Sequence, residues 1–185
     1  MAHQPLDSGD LRCYQCGSPL SRCSRSSRRR RLCPHHACVS TPCDALPANV
    51  GEVIGAAKSW PRRETDIVAV ALVGSWARGA GRAGSDVDLV VLAREPDRLL
   101  SESSWFGVFG SGATLVRSGD FGVIQERRLR RPDGLEVEVG IGGLGWATAE
   151  PADVGSLRVA REGMQVLHDP HRLLHALAMV AKNRA

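Results

Sequence analysis

Two runs of aliphatic and β-branched residues, DIVAVALVG at 66–74 and DVDLVVLA at 86–93, constrain this chain more than any other feature. After its opening aspartate the first is too apolar and too β-branched to alternate as a half-wet surface strand does, and it is short for a core helix. Both read as strands buried on two faces. A sheet covered on both sides needs helices above and below it, so the expected class is α+β with an α/β-like plan: a mixed β-sheet flanked by helices. The rest of the chain supplies the parts. A helix is expected over Val50–Lys58, with Val53, Ile54 and Ala57 on one side and Pro61 stopping it. A helical turn is expected between Trp76 and Ala83, and a short helix over Glu95–Ser101 with Pro96 in its first turn. Residues 113–118 and 121–131 read as strands joined by a turn at Ser118-Gly119-Asp120. The turn Pro132-Asp133-Gly134 leads into LEVEVGI, a strand of strict alternation. Helices over Asp153–Arg161 and Pro170–Ala181, with a short strand at 164–169 between them, complete the reading.

The link between the two apolar runs carries the chemistry. It opens with Gly74-Ser75, passes through a Gly- and Arg-rich loop, and returns as Asp86-Val87-Asp88. On a strand, side chains two apart share a face, so Asp86 and Asp88 point the same way with backbones roughly 7 Å apart. Carboxylates beside an apolar core need a positive partner. Hard oxygen ligands favour Mg²⁺, which completes its shell with phosphate and water rather than a full protein cage. A strand end at Gly-Ser exposes backbone N–H groups to an anion, and glycine lets a phosphate come close. A helix starting there would add its dipole, Ser75 a hydroxyl donor, and Arg78 a forked cation. A third carboxylate would complete a two-metal site, and LEVEV offers Glu136 and Glu138 on one face of a later strand; a solvated wet face is the alternative for each.

The combination GSWARG…SDVDLVV at 74–91 resembles the signature of the DNA polymerase β-like nucleotidyltransferase superfamily, an apolar residue before Gly-Ser followed by Asp-apolar-Asp-apolar. It looks especially like the small bacterial nucleotidyltransferase-domain proteins, related to the minimal nucleotidyltransferases and the aminoglycoside adenylyltransferases. The resemblance implies that Gly74 and Ser75 hold a triphosphate, that Asp86 and Asp88 bind metal, and that Glu138, deeper in its apolar run than Glu136, is the third acid. It implies an enzyme moving a nucleoside monophosphate, AMP from ATP, onto a hydroxyl of a small molecule or protein with Mg²⁺ as cofactor and pyrophosphate released. Two other functions fit the same motif: an antitoxin-type partner that adenylylates or binds a toxin, and a nucleotide-binding module with decayed catalysis.

Charge and cysteine divide the chain at residue 48. Residues 1–48 hold all six cysteines and a net +4, which is the whole net charge of the protein. This segment is expected to be a disordered Cys/Arg/Ser-rich tail, with zinc binding through Cys13, Cys16, Cys33, His36 or Cys38 and a basic docking arm as alternatives. Residues 49–185 are expected to form the nucleotidyltransferase domain. Their balanced charge does not mark a general nucleic-acid binder. No apolar run reaches a membrane span, and the cysteine-free body suits a reducing compartment, so a cytoplasmic location is expected. Arg127, Arg128, Arg130 and Arg131 read as a solvated edge or a contact for an anionic acceptor. Trp76, Trp105 and Trp146 are candidates to flank a base, or core residues. His168 and His171 read as turn and capping residues.

Overall fold

A computed structural model describes residues 46–149 and 151–183. The Cys/Arg/Ser-rich segment through residue 45, with the disorder and zinc expectations attached to it, lies outside the described residues. From Pro47 onward the contacts form one unit.

Helix α1 (Ala48–Ser59) buries Val50, Val53, Ile54 and Ala57, and a 3₁₀ turn at Trp60–Arg62 takes over where Pro61 forbids further α-helix. Two short helices, α2 (Gly74–Ala77) and α3 (Pro96–Ser101), and six strands follow among the described residues: β1 (Ile67–Val73), β2 (Val87–Ala93), β3 (Thr114–Asp120), β4 (Ile124–Arg130), β5 (Glu136–Gly143) and β6 (Gln165–His168). They form one sheet in the order β3-β4-β5-β2-β1-β6. Only β2 and β5 run parallel; the other pairs are antiparallel, so the sheet is mixed. The two apolar runs, β1 and β2, are neighbours inside it, as their lack of a wet face requires.

Alternation sorts the inner strands between two cores. Ala69 and Ala71 of β1 and Val90 and Leu92 of β2 join Trp146, Leu157, Leu174, Leu177 and Ala181, under helices α4 (Val154–Gly163) and α5 (Leu173–Asn183). A second cluster stacks Trp60 on Trp105, with ring centroids 5.2 Å apart, and sets Phe109 edge-on to both. Trp105 is buried there and donates to the Leu99 carbonyl at 2.8 Å. Trp105 and Trp146 are therefore core residues, and neither is free to flank a base.

The helical turn expected between Trp76 and Ala83 lies at Gly74–Ala77, and two further boundaries differ from the sequence reading. The β3–β4 turn falls at Phe121-Gly122-Val123 instead of Ser118-Gly119-Asp120. Asp120 Oδ1 accepts from the Gly122 amide at 2.9 Å and holds Gly122 at φ +76°, so β3 continues through Gly119. Helix α5 begins at Leu173, not Pro170. The buried Asp169 carboxylate accepts from the Leu173 amide at 2.8 Å and the His175 amide at 3.0 Å, and Arg172 just before it is left-handed at φ +59°. This cap defines where the helix starts. His168 and His171 flank that turn, outside the cap itself.

Candidate active site

The site grows from the end of β1. A four-residue helix, α2 (Gly74–Ala77), turns the chain out of the sheet. Gly74 is required there twice over. Its φ is +66°, and a Cβ at this position would sit 1.9 Å from Asp88 Oδ2. The Asp88 carboxylate thus lies directly on the Gly74 backbone. Next in the turn is Ser75, whose Oγ is buried and has no hydrogen-bond partner. Trp76 then closes the loop by packing its ring on Gly81, where a Cβ would come within 2.2 Å of it. The turn Arg82–Ser85, with its amide-to-carbonyl bond of 2.9 Å, aims the chain back at the sheet just ahead of Asp86. Trp76 is buried as the wedge of this loop, which favours packing over base contact.

Register brings the remaining charges together. Asp88 of β2 lies beside Glu138 of β5, and Glu138 lies opposite Arg128 of β4, which in turn lies opposite Arg117 of β3. Partners across a sheet share a face. Two acids and two arginines therefore form one transverse row, on the face that carries Val90 and Leu92 further along β2. Asp86, Asp88 and Glu138 each offer an oxygen, and these oxygens lie within 4.8 Å of one another. Glu136, one step down β5, pairs instead with Arg130 at 2.7 Å and Arg128 at 3.1 Å.

The electrostatics separate these carboxylates. Burial pushes the Asp88 carboxyl up to about 7, with Asp86 and Glu138 adding to the rise and Arg128 and Arg78 offsetting part of it. Glu138 is also raised, by burial first and then by the Glu126 charge. Glu136 moves the other way, held below its ordinary range by Arg130 and Arg128. Three acids crowd at a point while the fourth is neutralised by arginine.

Arg128 was not legible as part of this site from composition alone. Its guanidinium bonds Glu138, reaches Glu136 Oε2 at 3.1 Å and Asp86 Oδ2 at 3.3 Å, and leaves Nε buried without a hydrogen bond, 3.6 Å from Glu126 Oε1. The expected solvated edge is corrected here: β4 is an inner strand, and Arg131, whose side chain is 12 % exposed, binds the Phe109 carbonyl and Glu52. Glu126 is equally unforeseen, a carboxylate 2 % exposed and gripped by Arg117 at 2.7 and 3.0 Å. Arg78 is exposed, and its stem lies against Gly163 at the end of α4, with its charge still felt at Asp88. Beside the acids opens a cleft of about 530 Å³ lined by Gly84, Asp86, Arg128, Arg130, Gly134 and Glu136.

These residues suit a divalent cation and a phosphate chain. Oxygens on opposite sides of Mg²⁺ stand about 4.2 Å apart, so three carboxylates already this close need only small side-chain movements to share an ion. The orphaned Ser75 hydroxyl is a donor awaiting an acceptor, since buried polar groups are ordinarily paired.

Residues 54–141 match the family model of the nucleotidyltransferase domain, a span from α1 through Ile141 of β5 that includes Asp86, Asp88, Glu136 and Glu138. No curated protein matches the chain significantly. Among solved structures, one described as a toxin–antitoxin with AMP-PNP is 14% identical, covering 74% of this chain and 86% of that one at a TM-score of 0.39. The Cid1 poly(U) polymerase is also 14% identical, at a TM-score of 0.37, covering 62% of this chain but only 35% of that one. None of the described helices is long and apolar enough to cross a membrane. With the strand–Gly-Ser–loop–Asp-Val-Asp arrangement in place and the family model spanning it, residues 54–141 are similar to the nucleotidyltransferase domain.

Proposed function

We propose that this domain transfers AMP from ATP to a hydroxyl acceptor, releasing pyrophosphate, with a divalent metal held by Asp86, Asp88 and Glu138. The observation that carries this reading is the meeting of three carboxylates from two strands beside a glycine–serine turn whose serine hydroxyl is buried and unpaired. The all-oxygen donor set favours Mg²⁺ over softer ions. When bound, the cation would offset the triphosphate's charge and lower the pKa of the acceptor hydroxyl.

The chain's own groups divide the remaining work. The Gly74-Ser75 turn meets the phosphates through its backbone amides, and Ser75 Oγ donates to one of their oxygens. Arg78, exposed beside this turn, supplies a forked cation to the phosphates. Glu138, whose carboxyl is raised, is the group that takes the acceptor's proton. The acceptor oxygen then bonds to the α-phosphorus while the bond to the β-phosphate breaks, and pyrophosphate leaves with that electron pair. The cleft at Asp86 and Glu136 is the side from which the acceptor enters.

The test is ATP labelled either at the α- or the γ-phosphate, incubated with Mg²⁺, the protein and a cell lysate. Label should pass from the α position only, with stoichiometric pyrophosphate, and the labelled molecule is the acceptor. Transfer of γ label would contradict the reaction class. A rise in melting temperature with Mg²⁺ and ATP but no pyrophosphate would make this a binding module.

A further inference from the structure

Arg128 occupies the place where a positive charge is needed. Its strand position leaves no alternative: the β4–β5 register sets it directly opposite Glu138, on the face that also carries Asp88. Its guanidinium holds Glu138 and lies 3.3 Å from Asp86, two of the three acids that converge. A cation cannot share those oxygens with a guanidinium at no cost, because like charges a few ångströms apart repel even where solvent screens them. The fit of Arg128 is also incomplete, since its Nε is buried with no hydrogen bond. A second position lies within reach. Nη1 already bonds Glu136 Oε2 at 3.1 Å, and Glu136 and Arg128 both line the open cleft. A turn of the end of the side chain can therefore keep Glu136 while letting go of Asp86 and Glu138.

We propose that Arg128 is a resident counter-ion that holds the metal-binding carboxylates together in the metal-free protein and competes with the divalent cation for them, yielding Asp86 and Glu138 as it moves onto Glu136. This rests on the metal site of the proposed function. Arg128 is here a positioning residue, and the same contact that preserves the site makes its metal affinity lower than the acids alone would give.

Mn²⁺ binding to the full chain without nucleotide, followed by titration calorimetry and by the Mn²⁺ electron paramagnetic resonance signal, tests it. R128Q is expected to melt lower than wild type without metal, since unpaired acids are left behind. It is expected to bind Mn²⁺ about tenfold tighter or more, a ratio equal to about 1.4 kcal/mol. R128K keeps the charge but loses the fork, and is expected to fall between the two. R130Q removes an equal charge that touches only Glu136, and is expected to change affinity less than about threefold. A merely structural arginine would give the opposite sign, with R128Q binding Mn²⁺ more weakly. Should R128Q fail to fold, an R128K affinity equal to or below wild type overturns the proposal. So do equal affinities in all proteins, or an R130Q gain matching that of R128Q. Those outcomes leave the metal site standing, whereas no Mn²⁺ binding by any variant overturns both readings. Binding by R128Q where wild type binds none supports the competition outright.

Discussion

The carboxylates of β2 and those of the β4–β5 hairpin are chemically alike and sit on one sheet face, yet they live in opposite electrostatic settings. Asp88 rests on a glycine turn with acids beside it, and its carboxyl is pushed up to about 7. Glu136 is flanked by two arginines and held below its ordinary range. Glu138 stands on the boundary, raised by burial and acidic neighbours yet bonded to Arg128. The lesson is that the number of acids in a patch says little about which can bind a cation. What matters is how firmly arginine holds each acid: among the described ion pairs none involves Asp88, Arg128 is shared between Glu138 and Asp86, and two arginines hold Glu136. β1 and β2 bring no arginine to Asp88, whereas β4 brings one for each glutamate of β5.

The two settings predict different responses to substitution. The largest difference is expected in turnover: Asp88→Asn should lower α-phosphate transfer about 10³-fold, the loss of several kcal/mol of charge stabilisation. Glu136→Gln should lower it less than tenfold and cost about 1 kcal/mol or less in denaturant unfolding, as a partly exposed ion pair does. Equal losses in the two variants would erase the distinction.

Gly74→Ala sharpens it from the backbone side. The new methyl would displace the Asp88 carboxylate and impose a left-handed alanine, so transfer should fall about 10²-fold, with about 1–3 kcal/mol lost in stability. A fully active G74A would show that Asp88 does not need the glycine surface it rests on.

The smallest expected effect is on stability against pH without metal. Because the folded-state pKa of Asp88 is raised, its ionisation opposes folding. Stability should therefore decline as pH rises from about 4 to about 7 and level off above. D88N should lose the Asp88 share of this slope and keep that of Glu138, whose carboxyl is also raised, so its curve should be shallower than wild type, and E136Q should keep both shares. Denaturant midpoints across that range measure it, and parallel curves for wild type and D88N would contradict it.

How much of this was readable depends on distance along the chain. The paired strands, the Gly-Ser turn and the Asp-Val-Asp face were legible because alternation and turn chemistry are local. The β3–β4 turn was misplaced because both Gly119 and Gly122 can turn a chain; the choice rests on the Asp120 side chain capping the Gly122 amide. The start of α5 was misplaced likewise, because the cap at Asp169 decides it and Pro170 does not. The role of Arg128 lies across strands, where residue type alone says nothing. The signal was nonetheless present: the Pro132-Asp133-Gly134 turn pairs Arg130 with Glu136 and hence Arg128 with Glu138. Folding the hairpin on paper would have put an arginine in the acidic row. Glu126 had no such signal, since its burial depends on Arg117 reaching over from β3.

The most direct measurement of the central claim is Mn²⁺ titration in the presence of a non-hydrolysable ATP analogue, comparing wild type with Glu138→Gln and Glu136→Gln. Saturable Mn²⁺ binding that is lost in E138Q and retained in E136Q is the predicted result. Binding that survives in E138Q, or that disappears only in E136Q, would contradict the assignment of the converging acids as the metal site.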